Sequence, residues 1–281
     1  MNFNMVENIA IEGTDLDEIE AYSFENCTSL KELYLSPIYE KISGGAFEHC
    51  ESLTSYNLPS SVSVIEGNPF TYTYSLEKIS VDSNNEYYYS NNTDSIISKD
   101  TNTLMVGCMN TKMDSSVINL GSWAFKGCKN LETFYIGSNL NTIESSEAFF
   151  NCTSLASFIG SSSAYYNVDN QYLLERTYDG KILLIRASIN AKTICSGVTS
   201  IASYAFENVV FDDYTITIID SVKSFGSNSF ISCSYSYVVI ENYTDTWYRV
   251  FNEVEKVDIS DPKTLSNMMH EYGLMDFTDK S

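Results

Sequence analysis

The most reactive side chains of this chain belong to seven cysteines and two histidines. Thiolates and imidazoles at short spacings bind zinc, and a cysteine beside a histidine can act as a nucleophile. No two cysteines have the Cys-x-x-Cys spacing, and only His49 and His270 could complete a metal site. Most of the cysteines instead stand three residues after a phenylalanine, namely Cys27, Cys50, Cys128, Cys152 and Cys233. This regular position predicts buried, unpaired thiols that behave as small apolar side chains, and no metal site.

The sequence contains none of the common catalytic motifs. Gly-x-Ser-x-Gly, His-Glu-x-x-His, P-loop and Gly-x-Gly-x-x-Gly patterns are all absent from it. His49 lies between a repeated phenylalanine and cysteine, and His270 lies beside Glu271, so both are expected to be structural or surface residues. The 37 acidic residues could supply a carboxylate pair, but their abundance favours no particular pair. The sequence therefore predicts a protein that is not an enzyme and that uses no cofactor.

Charge and hydropathy narrow the class of partner. The chain carries only 16 Lys and Arg and has a net charge of −21. Nucleic acid and anionic membrane both require clustered Lys and Arg, so neither is expected as a partner. The sequence has no apolar run long enough for a transmembrane helix, and its first residues lack the basic and apolar segments of a secretory signal. Two alternatives follow, a cytoplasmic protein or a portion of a longer exported one.

A repeated unit must position these side chains. The same short phrase is closed by seven phenylalanines, Phe24, Phe47, Phe70, Phe125, Phe149, Phe206 and Phe230. The gaps between them are 23, 23, 55, 24, 57 and 24 residues, so each long gap is one period plus an insertion. Such a period indicates units that bury their apolar faces by stacking. The sequence predicts one repeat domain over residues 1–245, followed by a C-terminal cap over residues 246–281.

Each unit is predicted to form two short extended segments and a turn. In the unit that begins at Leu30, Leu33 and Leu35 alternate with polar residues, and an apolar pair, Tyr39 and Ile42, follows. Alternation places the apolar side chains on one face of a strand, so stacked units should form a parallel sheet. The closing Ala-Phe-x-x-Cys phrase should form a turn whose side chains fill the space between coils.

The two insertions, near residues 83–116 and 161–197, share a layout. Each contains a tyrosine cluster and then two apolar runs around a polar turn, over residues 95–107 and 172–186, which predicts a β-hairpin. Near the C-terminus, Asp261, Pro262 and Gly273 have the positions of an N-cap, a first helical residue and a stop. We expect this helix to cap the last coil, and the alternative is a helix that binds a partner.

The repeated phrase resembles the BspA-type leucine-rich repeats. The resemblance is carried by SFENCTSLKELYL (23–35), GAFEHCESL (45–53), LPSSVSVIEG (58–67), WAFKGCKNLETFYI (123–136) and EAFFNCTSLASF (147–158). It covers about residues 6–240 and implies a leucine-rich-repeat solenoid, mainly β, with short parallel strands, coils of about 23 residues and two inserted hairpins. It also implies a cell-surface or secreted protein that takes part in adhesion by binding a host surface protein, a matrix protein or a glycan.

Binding residues are expected at outward strand positions and in the tyrosine clusters. The strand candidates are Glu32, Tyr34, Asn57, Lys78, Thr133 and Tyr135, and the cluster candidates are Tyr87, Tyr88 and Tyr165. Exposed tyrosines are frequent anchors of protein interfaces. The first hypothesis is a non-catalytic module that binds a protein or glycan through these residues. The alternative is an intracellular scaffold that holds other proteins.

Four Asn-x-Thr sequons occur, at Asn26, Asn91, Asn151 and Asn242. Asn26 and Asn151 belong to the repeated Asn-Cys-Thr phrase, so we expect them to serve the turn of the repeat. Asn91 lies in a polar insertion and would be the acceptor of a glycan if the protein were exported from a eukaryotic cell.

Overall fold

A computed structural model describes residues 4–13, 16–36, 38–113, 115–160, 163, 165–235, 237–240 and 256–259 of the chain. The chain divides into two compact units, residues 1–170 and residues 171–281. Both units consist of short strands joined by tight turns, and the predicted solenoid of short parallel strands is confirmed. The predicted boundary between solenoid and cap, at residue 245, lies outside the described residues.

The first unit contains strands from two edges of each coil and from the insertions. These strands are β1 (Asn8–Ile11), β2 (Glu18–Ile19), β3 (Glu32–Leu35), β4 (Lys41–Ile42), β5 (Ser55–Leu58), β6 (Val64–Ile65), β7 (Lys78–Val81), β8 (Tyr88–Tyr89), β9 (Ser95–Ser98), β10 (Thr103–Gly107), β11 (Asn119–Leu120), β12 (Thr133–Ile136), β13 (Thr142–Ile143), β14 (Ser157–Gly160) and β15 (Tyr166–Asp169). A single 3₁₀ turn, Ser146–Phe149, is described in this unit.

The second unit repeats this plan. Its strands are β16 (Tyr172–Arg176), β17 (Ile182–Ala187), β18 (Ser200–Ile201), β19 (Thr215–Ile218), β20 (Ser224–Phe225), β21 (Tyr237–Ile240) and β22 (Lys256–Ile259), with a short 3₁₀ turn at Asp212–Tyr214. β22 lies within the segment predicted to form the cap, and it pairs in parallel with β21. The predicted helix after Asp261 lies outside the described residues.

Parallel pairing in register with the repeat period confirms the predicted strands. Successive coils pair Ile9 with Leu33, Tyr56 with Ile79, Phe134 with Phe158 and Ile216 with Val238. Burial alternates along β5, where Ser55 and Asn57 are exposed while Tyr56 and Leu58 are buried. Because the strand period is two, this alternation leaves one side chain in two available on the outer face of the sheet.

The repeated phenylalanines form the core between coils. The Phe47 ring is fully buried, and its centroid lies 5.2 Å from that of Phe24 and 5.0 Å from that of Phe70. Phe125 and Phe149 stack in the same way, with centroids 5.9 Å apart and planes 5° from parallel. Burial of one phenylalanine contributes about 1.5–3 kcal/mol, and stacking adds about 0.5–1.5 kcal/mol. Each ring therefore holds two neighbouring coils together.

The turn after each phenylalanine requires a left-handed residue. The second residue after the ring has a φ between 57° and 74° in every repeat, at Asn26, His49, Tyr72, Gly127, Asn151, Asn208 and Ser232. Asn and Gly adopt this conformation at the lowest cost. This geometry supports the turn role that the sequence predicts for the asparagines of the Asn-Cys-Thr phrase.

The repeat cysteines donate hydrogen bonds to the preceding coil. Cys50 Sγ donates to the Phe24 carbonyl oxygen at 3.2 Å, and Cys152 and Cys233 make the equivalent bond at 3.1 and 2.8 Å. Thr73 has the same position in its coil, and its Oγ1 donates to the Phe47 carbonyl oxygen at 2.9 Å. Burial raises the pKa of the Cys50 thiol to about 12. The third residue after the phenylalanine therefore has a small side chain that donates a hydrogen bond to the preceding coil. The sequence analysis did not predict this role.

Each insertion contributes a hairpin whose second strand pairs in parallel with the next short repeat strand. The predicted hairpins are confirmed as the antiparallel pairs β9–β10 and β16–β17. Gly107 at the end of β10 donates its N–H to the Ala124 carbonyl at 2.8 Å. In the regular repeat, the equivalent bond runs from the Phe47 N–H to the Pro69 carbonyl, also at 2.8 Å. A Cβ atom on Gly107 would lie 2.2 Å from the Phe125 ring. The glycine thus takes the backbone position of a repeat phenylalanine while leaving space for the next ring.

The second insertion places an ion pair in its core. Leu104 in the first insertion and Leu184 in the second pair with equivalent short strands. Val106 and Arg186 each lie two residues further on, so they have equivalent positions. Arg186 Nη1 lies 3.1 Å from Glu207 Oε2, and the two side chains are only 1% and 5% exposed. Nε and Nη2 of Arg186 are buried without a hydrogen-bond partner. Glu207 is therefore the counter-charge of a guanidinium that is incompletely hydrogen-bonded.

Candidate binding surface

The outward face of the repeat strands in the first unit is the candidate binding surface. All six strand candidates lie on it, with Glu32 and Tyr34 on β3, Asn57 on β5, Lys78 on β7, and Thr133 and Tyr135 on β12. The paired repeat strands are β1–β3, β5–β7 and β12–β14, and no described pairing joins β3 to β5 or β7 to β12. Recesses are present where the pairing is interrupted, between β3 and β5 and between β7 and β12. The candidate binding residues are therefore divided among these recesses.

The first recess, called the crevice, lies between β3 and β5 and has a volume of about 400 Å³. Glu32, Tyr34 and Asn57 line it, and Tyr34 is 63% exposed. Its lining also includes Tyr39 and Tyr56, which are buried and whose hydroxyl oxygens lie 2.8 Å apart. Burial raises the pKa of Tyr39 to about 12, so the hydroxyl pair is neutral near pH 7. The crevice thus combines exposed polar side chains with an uncharged, hydrogen-bonded interior.

A proline removes one hydrogen bond from this ladder. Ser36 follows β3 and donates its N–H to the Ile11 carbonyl at 3.0 Å, and Asp82 follows β7 and donates to the Leu58 carbonyl at 2.9 Å. Pro59 has the equivalent position after β5, and proline has no N–H to donate. The last hydrogen bond between β5 and β3 therefore cannot form.

The second recess, called the hollow, lies beside β7 and has a volume of about 260 Å³. Lys78, Lys99 and Asp94 line it. Burial raises the pKa of the Asp94 carboxyl, and the positive charge of Lys78 opposes this rise. Asn91, Asn92 and Asp94 have left-handed φ values of 48°, 56° and 51°. This run of uncommon backbone conformations brings the Asp94 carboxyl to the sheet face.

The third recess, called the groove, lies between the first insertion and β12 and has a volume of about 800 Å³. Thr133 and Tyr135 line it, so the structure brings these two candidates together. Lys112 Nζ lies 5.3 Å from the centre of the Tyr135 ring, within the range of a cation–π interaction. Thr133 Oγ1 lies 2.9 Å from Ser157 Oγ, so this hydroxyl already has a partner.

The rest of the groove lining is polar. It includes the acidic residues Glu77, Asp94 and Glu132 and the amides of Asn92, Asn110 and Asn130. Asn110 Nδ2 donates to the Glu77 carbonyl at 3.2 Å, and Asn130 Nδ2 donates to the Tyr74 carbonyl at 3.1 Å. These bonds fix the two side chains while their amide oxygens keep the capacity to accept. The groove can therefore exchange several hydrogen bonds with a ligand around one aromatic ring.

The tyrosine clusters divide into buried and exposed members. Tyr88 is only 7% exposed, and its hydroxyl accepts the Ile65 N–H at 3.0 Å. Tyr166 of the second cluster is buried and accepts the Ile143 N–H at 2.8 Å. Tyr88 is thus largely buried, because its hydroxyl completes the edge of β6, and it also lines the hollow. Tyr87 and Tyr165 are each 50% exposed, and neither is among the described lining residues of the three recesses.

The sequence analysis missed the charged residues Glu77, Asp94, Lys99, Lys112 and Glu132 of the surface. Lys112 and Asp94 lie in the first insertion, where the repeat period assigns no side-chain direction. A signal was present, because Lys112 and Lys192 both follow the last residue of their hairpin by five positions. Comparing the insertions with each other, and not only with the repeat, would have singled out this lysine.

The described residues contain no arrangement typical of a catalytic centre or a metal site. The His49 ring stacks on Tyr72 with centroids 4.8 Å apart, and its nearest carboxylate oxygens, from Glu51 and Glu48, lie at 3.8 and 4.0 Å. His270 lies outside the described residues. No group of three or more His, Cys, Asp or Glu in the described part of the chain could hold a metal ion. No helix described there is long and apolar enough to cross a membrane.

Two solved structures share the fold. A leucine-rich cell surface protein from Faecalibacterium prausnitzii is 18% identical, with a TM-score of 0.52, and the match covers 95% of this chain and 76% of that one. The pneumococcal vaccine antigen PcpA is 17% identical, with a TM-score of 0.55, and the match covers 93% of this chain and 64% of that one. This chain therefore spans less than two thirds of the solved PcpA chain. At these identities the likeness concerns the fold alone.

Sequence comparison identifies the family. No curated protein sequence matches the chain. The sequence model described as the BspA type leucine rich repeat region matches in six copies, over residues 1–104, 106–171 and 184–271. These ranges cover most of the chain and leave out residue 105 and residues 172–183, which lie in the two hairpins. The chain belongs to the BspA-type leucine-rich-repeat family.

Proposed function

We propose that this chain is a non-catalytic recognition module that binds a partner protein through the sheet face of its first unit. The observation that carries the proposal is the groove, where the first insertion brings Lys112 over the ring of Tyr135 beside β12. Membership in the family supports a repeat-based binding module. We assign the binding residues of that module to the groove and its neighbouring recesses.

The chemistry of the face favours a partner with polar and cationic groups. Tyr34 and Tyr135 provide two aromatic anchors on separate coils, and tyrosine is enriched among interface hot spots. The carboxylates of Glu77, Asp94 and Glu132 outnumber the single lysine of the groove. A complementary partner would bring Lys or Arg to these carboxylates, and the net charge of −21 would accelerate their encounter.

We also propose that the module acts in adhesion at a cell surface. The support is the nature of the solved neighbours, one described as a cell surface protein and the other as a vaccine antigen. An intracellular scaffold would use the same face, so the two alternatives differ in location and not in geometry. Antibody labelling of intact cells separates them, because only surface display gives a signal without permeabilisation.

A glycan is the second candidate ligand, favoured by the amides of the groove. Asn92, Asn110 and Asn130 lie close to carboxylates there, and amide and carboxylate groups together accept and donate hydrogen bonds to sugar hydroxyls. Tyr135 would offer an aromatic surface for a sugar ring. Salt dependence distinguishes the candidates, because a cationic protein partner should bind less tightly at high ionic strength while a neutral glycan should not.

Affinity capture with matched tyrosine variants tests the proposal. Immobilised chain is exposed to extracts of candidate host or partner cells, and retained proteins are identified by mass spectrometry. We expect Tyr135→Ala to reduce capture of the specific partner at least tenfold. Tyr178→Ala is the control, because Tyr178 is fully exposed in the second unit. Equal capture by wild type, Tyr135→Ala and Tyr178→Ala would refute the groove as the binding site.

A further inference from the structure

The crevice between β3 and β5 has backbone groups on both sides that no neighbouring strand uses. In the intact ladders, Glu32 donates its N–H to the Glu7 carbonyl and Lys78 donates to the Thr54 carbonyl, both at 3.2 Å. Ser55 has the equivalent position in its coil, but no described bond joins it to the Lys31 carbonyl. Among the described residues, the hydrogen bonds that usually join successive repeat strands are therefore missing between β3 and β5.

The register of a parallel ladder identifies the groups that face the crevice. Since N–H groups two residues apart point to the same neighbour, Ser55 and Asn57 direct their N–H groups toward β3. The carbonyls of Leu33 and Leu35 face β5 for the same reason, because the equivalent carbonyl of Leu58 accepts from the next coil. In a parallel ladder the N–H and the carbonyl of one residue point to the same neighbour, so each wall offers both donors and acceptors, and together they complement the two edges of an extended backbone.

The side chains around the crevice suit such a segment. Leu33 and Leu35 are half-buried, and the buried hydroxyl pair of Tyr39 and Tyr56 is neutral. A residue of an inserted strand that points inward would meet these uncharged groups, so it should be small and apolar. The next residue would point outward between Tyr34 and Asn57, where a polar side chain is suitable. The volume of about 400 Å³ corresponds to a few residues and not to a folded domain.

We propose that the crevice binds an extended peptide segment of the partner protein by strand insertion between β3 and β5. This inference rests on the proposed function, since it assigns a mode of protein recognition to the same sheet face. Main-chain hydrogen bonds would provide affinity, and the alternation of inward and outward side chains would provide specificity. The interruption at Pro59 is then the feature that keeps the site open.

The first test asks whether the strands are apart in solution. Tyr34 and Asn57 have equivalent positions on either side of the crevice, while Asn57 and Ser80 face each other across an intact ladder, with a hydrogen bond of 2.7 Å between their side chains. The paired variant Asn57→Cys/Ser80→Cys should form a disulfide on mild oxidation, and Tyr34→Cys/Asn57→Cys should form it at least tenfold more slowly. Equal rates would mean that the crevice is closed and would overturn the proposal.

The second test uses a defined peptide, acetyl-Thr-Val-Thr-Val-Thr-amide, followed by amide chemical shifts. We expect the largest shifts at the N–H groups of Ser55 and Asn57. A peptide of the same sequence with N-methylated valines is the matched control. It should cause shifts at least tenfold weaker, because the two valine N–H donors are replaced by methyl groups that also obstruct the approach of a neighbouring strand. Asn57→Pro, which removes one donor from the crevice wall, should weaken binding without unfolding β5. Similar shifts with both peptides would overturn the proposal.

A glycan probe completes the test. Shifts at Ser55 and Asn57 with cellohexaose, and none with the peptide, would assign the crevice to sugar binding and overturn strand insertion. Loss of partner capture in Tyr135→Ala, together with no response to the peptide, would leave the proposed function standing and remove only this inference. If Tyr135→Ala still captures the partner and the peptide binds at the crevice, the groove is refuted as the binding site and strand insertion stands.

Discussion

Replacement of Arg186 and Glu207 together by leucine should leave the free energy of unfolding unchanged or raise it by about 1–4 kcal/mol. Glu207→Ala alone should lower it by about 3–5 kcal/mol, because the guanidinium would stay buried without its counter-charge. The change at Arg186 has a counterpart in the first insertion, where the apolar Val106 has the equivalent position.

The magnitude follows from the surroundings of the pair. At the observed 3.1 Å, an effective dielectric constant of about 20 gives an attraction of about 5 kcal/mol. Removing each ion from water costs several kcal/mol, and the two unpartnered nitrogens of Arg186, Nε and Nη2, cost about 1–3 kcal/mol each. The costs equal or exceed the attraction, so the intact pair contributes little net stability.

Urea unfolding followed by far-ultraviolet circular dichroism measures these differences as shifts of the midpoint at constant slope. Val106→Arg in the first insertion is the mirror control, and it should destabilise by several kcal/mol because it buries a guanidinium without a designed partner. The reasoning fails if the double leucine variant loses as much stability as Glu207→Ala, or if Glu207→Ala unfolds at the same urea concentration as the unchanged chain.

Three further outcomes test the coil itself. Cys50→Thr should keep the bond to the preceding coil and change stability by less than about 0.5 kcal/mol, whereas Cys50→Val should cost about 1 kcal/mol in the same urea assay. Because burial raises the pKa of the Cys50 thiol to about 12, iodoacetamide near pH 8 should label this residue only after unfolding, as peptide mass mapping would reveal; rapid labelling of the folded chain would contradict its burial. Gly107→Ala should cost about 1–3 kcal/mol, since its Cβ would collide with the Phe125 ring, and an unchanged thermal midpoint would contradict the tight fit.

The regular part of the fold could be predicted because it depends on patterns that repeat along the sequence. The alternation around Leu33 and Leu35 determines the strand face, and the spacing of the phenylalanines determines the stacking of coils. The hairpins were recognisable because two apolar runs enclose a polar turn, as around Gly180. Each of these signals lies within a few residues of the structure that it specifies.

The features missed by the sequence analysis depend on contacts between coils. Tyr87 and Tyr88 are adjacent and identical in type, yet only Tyr88 reaches the edge of β6 and becomes buried. The crevice depends on a hydrogen bond that Pro59 cannot make to the preceding coil, and the lysine over Tyr135 is supplied by an insertion. A motif that describes a single coil does not indicate which pairs of adjacent coils lack hydrogen bonds or receive a side chain from an insertion. The candidate binding surface was therefore predictable as a face but not as three recesses.

The glycine that replaces a repeat phenylalanine in the first insertion also affects where this array can vary in sequence. Gly107 and Ala187 each make the backbone bond of a repeat phenylalanine to the next coil, so each hairpin ends in the hydrogen-bond frame that the next coil continues. A change of side chains earlier in a hairpin therefore leaves that frame in place. The recesses beside the first hairpin can vary in chemistry while the stacked rings stay the same.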